Sequence, residues 1–280
     1  MTAADLMLDI LAAHGVRDVF GVPGDAINDF TDALRRRDDM RFVLVRHEEA
    51  GAFMASAQAK LTGRLTACMG TAGPGAVHLL NGLYDAKLDH APVIAITGQA
   101  PSQFVGTSYH QEVDLESLFS DVAEYSQTVM TPKQLPAVML QACKAALSAP
   151  GVAHVCVPTD VAGQKVSSDR DDFSIGSRTG ETTPCPPSLQ RAVDLLMQGE
   201  QVAILAGIGA SGARDEIIQL AEQLDAPIIR TLRAKDFIDD DDETCVGGLG
   251  LLGGPPASDA MDKCDTLLIV GADYPYVPFY

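Results

Sequence analysis

The stretch "RHEEAGAFMA", residues 46–55, decides how this chain is read. It joins an apolar β-branched run, "FVLV" at residues 42–45, to a series of small and apolar residues with helical spacing. Two adjacent carboxylates, Glu48 and Glu49, stand at the junction. Acids suit a helix start, where the dipole and the free N–H groups stabilise negative charge by about 0.3–1 kcal/mol. That accounts for the acids but not for their surroundings. The helix places Ala50, Phe53, Met54, Ala57 and Leu61 on one face at i, i+3, i+4, i+7 and i+11, and Gly51 with the alanines permits close approach of another helix. Such a surface suits a subunit interface. A carboxylate at its edge would lose solvent and be suited to share a proton with a buried ligand nitrogen.

Outward from that junction, residues 1–161 alternate short β-branched runs with helical periods, and Gly or Pro marks most joints. Strands are expected at 19–22, 42–45, 65–69, 93–97 and 152–157, and helices beginning near Asp25, Glu48, Gly75 and Pro132. The runs are too apolar for a sheet with a wet face, so the pattern predicts an α/β fold, a doubly wound parallel sheet covered on both sides. Residues 162–187, rich in Ser, Asp, Thr, Gly and Pro, read as a linker. A second βα series occupies 188–280, with helices at 188–197 and 213–224 and strands at 202–206, 227–231 and 266–270. It is expected to be an incomplete Rossmann-like domain, since "GADYPYVPFY" follows a strand with no closing helix. The chain is therefore expected to be part of a longer protein.

The formal charge of −18, from 38 acidic against 20 basic residues, disfavours nucleic acid and anionic membrane surfaces. The run "DFIDDDDE" (236–243) reads as a solvated loop. Cysteines 68, 143, 156, 185, 245 and 264 never form a CxxC pair and read as reduced core residues of a cytoplasmic protein. The N-terminus carries acids where a signal peptide carries Lys or Arg, and no run is long and apolar enough to span a bilayer.

The turn "GVPGD" (21–25) and the junction "GTAGPGAVHLLNG" (70–82) would let backbone approach a ligand, though each could be a simple tight turn, and the second lacks the Lys of a P-loop. "AGIGASGA" has GxGxxG spacing at Gly207, Gly209 and Gly212, but the next strand ends in Arg230 and Thr231 rather than in a ribose-binding acid, which disfavours nicotinamide and leaves a flavin open. The histidines show no metal-ligand spacing and no GxSxG elbow is present, so no metal ligand is assigned within the chain and hydrolase readings lose support.

Taken together, "GVPGD", "RHEEAGAFMA", "GTAGPGAVHLLNGLYDA", "PVIAITGQ" and "GTSYHQE" resemble the pyrimidine-binding domain of thiamine diphosphate enzymes of the pyruvate oxidase and acetolactate synthase group. "TLRAKD", "GGLGLLGG" and "GADYPYVPFY" look like the start of that group's middle domain, most similar to the flavin-dependent oxidase and quinone-linked dehydrogenase branch. The resemblance implies that Glu48 bonds N1′ of the cofactor's aminopyrimidine, favouring the imino tautomer that deprotonates thiazolium C2, while Glu49 is a helix-start acid. It implies that Val22, Pro23 and Gly24 surround the pyrimidine, that Thr71 and His78 face the cofactor, and that Gln111 lies near the thiazolium and substrate, with Glu48 and Gln111 in the catalytic roles. In the middle domain it places Arg233, Gly250, Leu251, Leu252, Gly253, Asp273, Tyr274, Pro275 and Tyr276 against FAD. His110 stands where many relatives carry Phe. The Gly-Asp-Gly and Asn-Asn segment that holds Mg²⁺ and the diphosphate in the family is absent from these residues, so those ligands are expected outside the chain. What the resemblance implies is a homodimer or homotetramer that decarboxylates pyruvate and passes electrons through FAD to a quinone or oxygen, any peripheral membrane contact lying in residues not present here. The rivals are an acetolactate synthase-type carboligase and a non-catalytic segment that dimerises through the small-residue helix.

Overall fold

Two units, Met1–Thr179 and Gly180–Tyr280, divide the computed structural model, which describes residues 1–148, 150–166, 173 and 183–273. In the first, helix α1 (Ala3–Ala13) starts at a reciprocal cap in which the Asp5 N–H donates to Thr2 Oγ1 (3.2 Å) and the Thr2 N–H to Asp5 Oδ2 (2.8 Å). The chain then runs through β1 (Asp18–Gly21), α2 (Asn28–Arg35), β2 (Arg41–Leu44), α3 (Glu48–Thr62), β3 (Thr66–Gly70), α4 (Pro74–Leu88) and β4 (Val93–Gln99). It continues through α5 (Leu115–Phe119), β5 (Tyr125–Thr128), α6 (Leu135–Ser148), β6 (Val152–Pro158) and α7 (Thr159–Ala162). The six strands are parallel in the order β2-β1-β3-β4-β6-β5. β1, β3, β4 and β6 are buried along their whole length, as their unbroken apolar runs require. One face of the sheet packs with α1, α2 and α6 around Leu6, Ile10, Phe30 and Met139, and the other with α3, α4 and α5 around Ala52, Leu79, Leu83 and Phe119.

α3 begins at His47, whose ring accepts the Glu49 N–H, and ends at Gly63 with φ +65. Its small residues Gly51, Ala52, Ala55, Ser56 and Ala59 are buried against the same chain. A Cβ on Gly82 of α4 would lie 2.5 Å from the Phe53 nitrogen, so α3 and α4 touch backbone to backbone. The helix that Ala52 admits is therefore α4, within the chain, whereas Gly51 was expected to admit a helix and instead packs on β1, a Cβ there lying 3.3 Å from the Phe20 carbonyl carbon. The larger apolar residues face outward: Phe53, Met54 and Leu61 of α3 are exposed, Leu61 at 82%, beside Val77, Tyr84 and Leu88 of α4.

The second unit contains α8 (Pro186–Gln198), β7 (Val202–Ala206), α9 (Arg214–Leu224), β8 (Ile228–Arg230), β9 (Cys245–Gly248), α10 (Pro255–Lys263) and β10 (Thr266–Val270). Its parallel sheet has the order β10-β7-β8-β9. The acidic run expected to be a solvated loop is pinned at three points. Buried Arg230 donates to the Ile238 carbonyl (2.6 Å) and to Asp240, Arg214 donates to the Phe237 carbonyl (2.9 Å) and to Asp242 (2.7 Å), and Ile238 is fully buried. Arg230 thus ends β8 because it anchors the loop that follows.

The segment expected to be a linker is tied to the first unit where it begins. The Ala3 N–H donates to the Gln164 carbonyl (2.9 Å), the Val166 N–H to the Met1 carbonyl (3.2 Å), and Phe173 packs on the core. Most of its remainder lies outside the described residues.

Candidate functional site

The carboxyl ends of parallel strands collect ligands because their turns converge there. In the first unit these turns carry the residues singled out in the sequence. Val22, Pro23 and Gly24 follow β1, Glu48 follows β2, Thr71 and His78 follow β3, and Gln111 lies on the loop after β4. Glu48 opens α3 with its carboxylate turned inward, 8% exposed, and His78 Nδ1 lies 3.0 Å from Glu48 Oε2. The His47 and His78 rings stack with centroids 4.3 Å apart. Glu49 points away and accepts from Asn81 Nδ2 on α4, so the two adjacent carboxylates have separate tasks.

Glycines shape the space around Glu48. A Cβ on Gly75 would lie 2.8 Å from Thr71 Cγ2 and 3.2 Å from Glu48 Oε1, and a Cβ on Gly24 would lie 2.5 Å from Thr71 Cβ. Thr71 Oγ1 donates to Asp25 Oδ1 (3.1 Å) and accepts from the Ala26 N–H (3.2 Å), which stitches the β1 turn to the β3 turn. Glu48, Thr71, His78 and Gly24 therefore form one contiguous wall. Gln111 joins through its backbone: Gly73 has φ +63, and a Cβ there would lie 2.6 Å from the Gln111 carbonyl oxygen. A cleft of about 250 Å³ is lined by Asp25, Gln99, Tyr109, His110, Gln111 and Thr159, among others.

Sequence reasoning passed over His47, Asp25 and Gly75. Asp25 ends the quoted turn and Gly75 lies within the quoted junction, so both were within reach, whereas the stacking of His47 on His78 joins residues 31 positions apart and left no local signal. The ligand-capable atoms of His47, Glu48 and His78 lie within 4.8 Å of one another, the trio of this kind among the described residues. Imidazole lone pairs lie in the ring plane, and two stacked rings direct them side by side. The hydrogen bond between His78 Nδ1 and Glu48 Oε2 already engages two of the three groups with each other.

In the second unit Arg233 follows β8, Gly250, Leu251, Leu252 and Gly253 follow β9, and Asp273 follows β10, all at the carboxyl end of that sheet. Gly250 has φ +95, and Leu251 and Leu252 are exposed at 82% and 81%. Tyr274, Pro275 and Tyr276 lie outside the described residues. The GxGxxG turn is occupied by its own chain: a Cβ on Gly207 would lie 2.2 Å from the Gly271 carbonyl oxygen, to which the Gly209 N–H donates (3.0 Å). Two of its glycines thus serve a backbone clasp between the turns after β7 and β10.

Comparison with known proteins finds two family models, the N-terminal TPP binding domain of thiamine pyrophosphate enzymes over residues 1–118 and the central domain of the same enzymes over residues 189–279. An uncharacterized 42.6 kDa protein of Pseudomonas amyloderamosa is 41% identical over 99% of this chain and 70% of its own length. Pyruvate oxidase of Lactiplantibacillus plantarum is 37% identical over 98% of this chain and 46% of its own length. The acetolactate synthase large subunit of Parasynechococcus marenigrum is 34% identical over 98% and 46%. The chain spans about half the length of these two named enzymes.

Proposed function

Since the chain belongs to the thiamine pyrophosphate enzymes, carrying their N-terminal TPP-binding and central domains, we propose that it is the N-terminal portion of an FAD-linked pyruvate oxidase or dehydrogenase. The observation that carries the reading is the inward Glu48 carboxylate, paired with His78 at the carboxyl end of the sheet and approached by the backbone at Gly75. That wall suits an aminopyrimidine, whose ring nitrogen needs a carboxylate; Gly24 and Gly75 let the turns after β1 and β3 close on Thr71 beside Glu48. Thiamine diphosphate, when bound, supplies a thiazolium that acts as the electron sink for decarboxylation of a 2-oxo acid. Glu48 holds the proton at the pyrimidine nitrogen, His78 fixes the orientation of that carboxylate, and Gln111 serves the substrate side. Val22, Pro23 and Thr71 complete the wall. Mg²⁺ and the diphosphate are assigned to no residue of this chain.

Electron transfer to FAD, and from it to a quinone or oxygen, is supported by the glycine turn at Gly250–Gly253, the exposed Leu251 and Leu252, and Arg233 and Asp273 at neighbouring strand ends. Tyr274, Pro275 and Tyr276 belong to the same assignment. A homodimer or a dimer of dimers is supported by the outward apolar face of α3 and α4, and a cytoplasmic setting by the free cysteines, three of them buried. Burial pushes the Cys68 and Cys143 thiols up to about 12 and Cys156 up to about 11, so they behave as inert core residues. No helix among the described residues is long and apolar enough to cross a membrane.

The test is made in the full-length enzyme. Glu48→Gln should lower pyruvate decarboxylation by ~10²–10⁴-fold with an unchanged melting temperature, while Glu49→Gln stays near normal. Near-normal turnover in Glu48→Gln would overturn the assignment. A second reading, acetolactate synthase, is favoured by the 34% identity to that enzyme. Reduction of a dye acceptor by pyruvate marks the oxidase, and acetoin released on acid treatment marks the carboligase.

A further inference from the structure

The loop after β4 folds around one carboxylate. Glu112 Oε1 accepts the Gly106 N–H, Glu112 Oε2 accepts the Tyr109 N–H (2.9 Å), and the Glu112 N–H returns to the Tyr109 carbonyl (2.9 Å). Within this short segment Gly106, Ser108 and Gln111 all have left-handed backbones, at φ +88, +60 and +62. For Ser and Gln that conformation is unfavourable, and it persists where surrounding contacts over-determine it. The stem of the loop is held independently. Buried Gln99 donates through Nε2 to the Val113 carbonyl (2.8 Å), and Ser102 donates through its N–H and Oγ to the Asp160 carboxylate (2.7 and 2.6 Å). Between those two anchors the residue that gathers the tip is Glu112, and Phe104 stacks on Tyr109 across it with centroids 4.9 Å apart.

We infer that Glu112 is a positioning residue: by collecting the backbone N–H groups of the loop tip it holds the strained Gln111 against Gly73 and aims the Tyr109–Gln111 segment into the cleft. A carboxylate can do this because its two oxygens accept several N–H donors at once, whereas a glutamine turns an NH₂ toward them. The same donors hold the Glu112 carboxyl below its usual range, the Gly106 N–H first and the Tyr109 N–H next, so the clamp persists in mild acid. The importance of the clamp for turnover rests on the role proposed for Gln111, but the clamp itself does not.

Two measurements separate the clamp from that reading. Amide hydrogen exchange on the 280-residue chain should show the Gly106 and Tyr109 amides exchanging about tenfold faster in Glu112→Gln, with the α3, α4 and β4 amides unchanged. Glu112→Asp, which keeps the charge but shortens the reach, should show the same acceleration. Unchanged exchange in both variants overturns the inference. In the full-length enzyme, Glu112→Gln should raise KM for the 2-oxo acid or lower kcat by about tenfold, and by less than about twofold when Gln111 is already Ala. Equal losses in both backgrounds would show that Glu112 acts by another route and overturn the positioning role. Faster exchange with no kinetic change in either background would keep the clamp and remove Gln111 from the substrate side.

Discussion

Lowering the pH is expected to weaken the first unit through His154, a fully buried side chain at the centre of β6. His154 Nε2 lies 2.8 Å from Thr97 Oγ1 on β4, Nδ1 lies 2.8 Å from Ser126 Oγ on β5, and the ring stacks on Phe119 with centroids 3.8 Å apart. The neutral ring is thus satisfied on both nitrogens, while a protonated one would be desolvated between two hydroxyls and an aromatic face. Burial accordingly pushes its pKa from the ordinary 6.5 down to about 3. With the folded value depressed, the unfolded chain binds the extra proton first, so stability is lost as pH falls below 6.5 and continues to fall until about 3. Between about pH 8 and about pH 5 the loss from this one group is ~2 kcal/mol, at 1.36 kcal/mol per pH unit below the unfolded value. The perturbation is His154→Gln, which offers uncharged partners to the same hydroxyls. Urea unfolding followed by far-ultraviolet circular dichroism should find the variant less stable at the higher pH, by about 2 kcal/mol from lost stacking and packing. That deficit should shrink by about 2 kcal/mol at the lower pH. Parallel pH profiles for the two proteins would refute the reasoning, because they would mean that the buried ring is not the group whose protonation is resisted.

Gly82→Ala should cost about 1–3 kcal/mol, since the new Cβ would lie 2.5 Å from the Phe53 nitrogen and force α3 from α4; thermal melting reads it. Arg230→Met should cost about 1–3 kcal/mol in unfolding of the second unit, chiefly by leaving the Ile238 carbonyl without its donor, since Asp240 keeps Lys235. Faster amide exchange over residues 236–243 should accompany it. Phe53→Asp combined with Leu61→Asp should halve the mass of the assembly in sedimentation while leaving circular dichroism unchanged, because both side chains already face solvent in the single chain. An unchanged mass would remove this face from the interface.

The parallel sheets were legible because a strand buried on both faces must be apolar throughout, and β1, β3, β4, β6 and β7 advertise that requirement, while the edge strand β10 is apolar though only half-buried. Two strands escaped because edges relax it. β5 reads "YSQT" and is half-buried, and β9 carries two glycines and a register shift against β8. α10 was hidden by the two prolines that begin it, which look like a loop although Pro suits the first helical turn. At the candidate site, the motif order identified Glu48 and the turns around it, but the pairing with His78 and the burial that separates Glu48 from Glu49 emerge only when α3 packs on α4. The outward direction of Phe53, Met54 and Leu61 was implicit in their spacing, while the partners of the small residues, α4 for Ala52 and β1 for Gly51, were not.

The glycine clasp between the turns after β7 and β10 bears on any attempt to engineer a nucleotide site into the second unit. Gly207 and Gly209 belong to the GxGxxG spacing a designer would first vary, yet a side chain at Gly207, or at Gly271 opposite it, would be driven into opposing backbone. Diversity introduced there would be lost to misfolding before binding was ever sampled, and a library scored on nucleotide affinity would misattribute that loss to the ligand. Leu232, Leu251 and Leu252, at the same end of the sheet and exposed, are positions where side chains can be varied without breaking the scaffold.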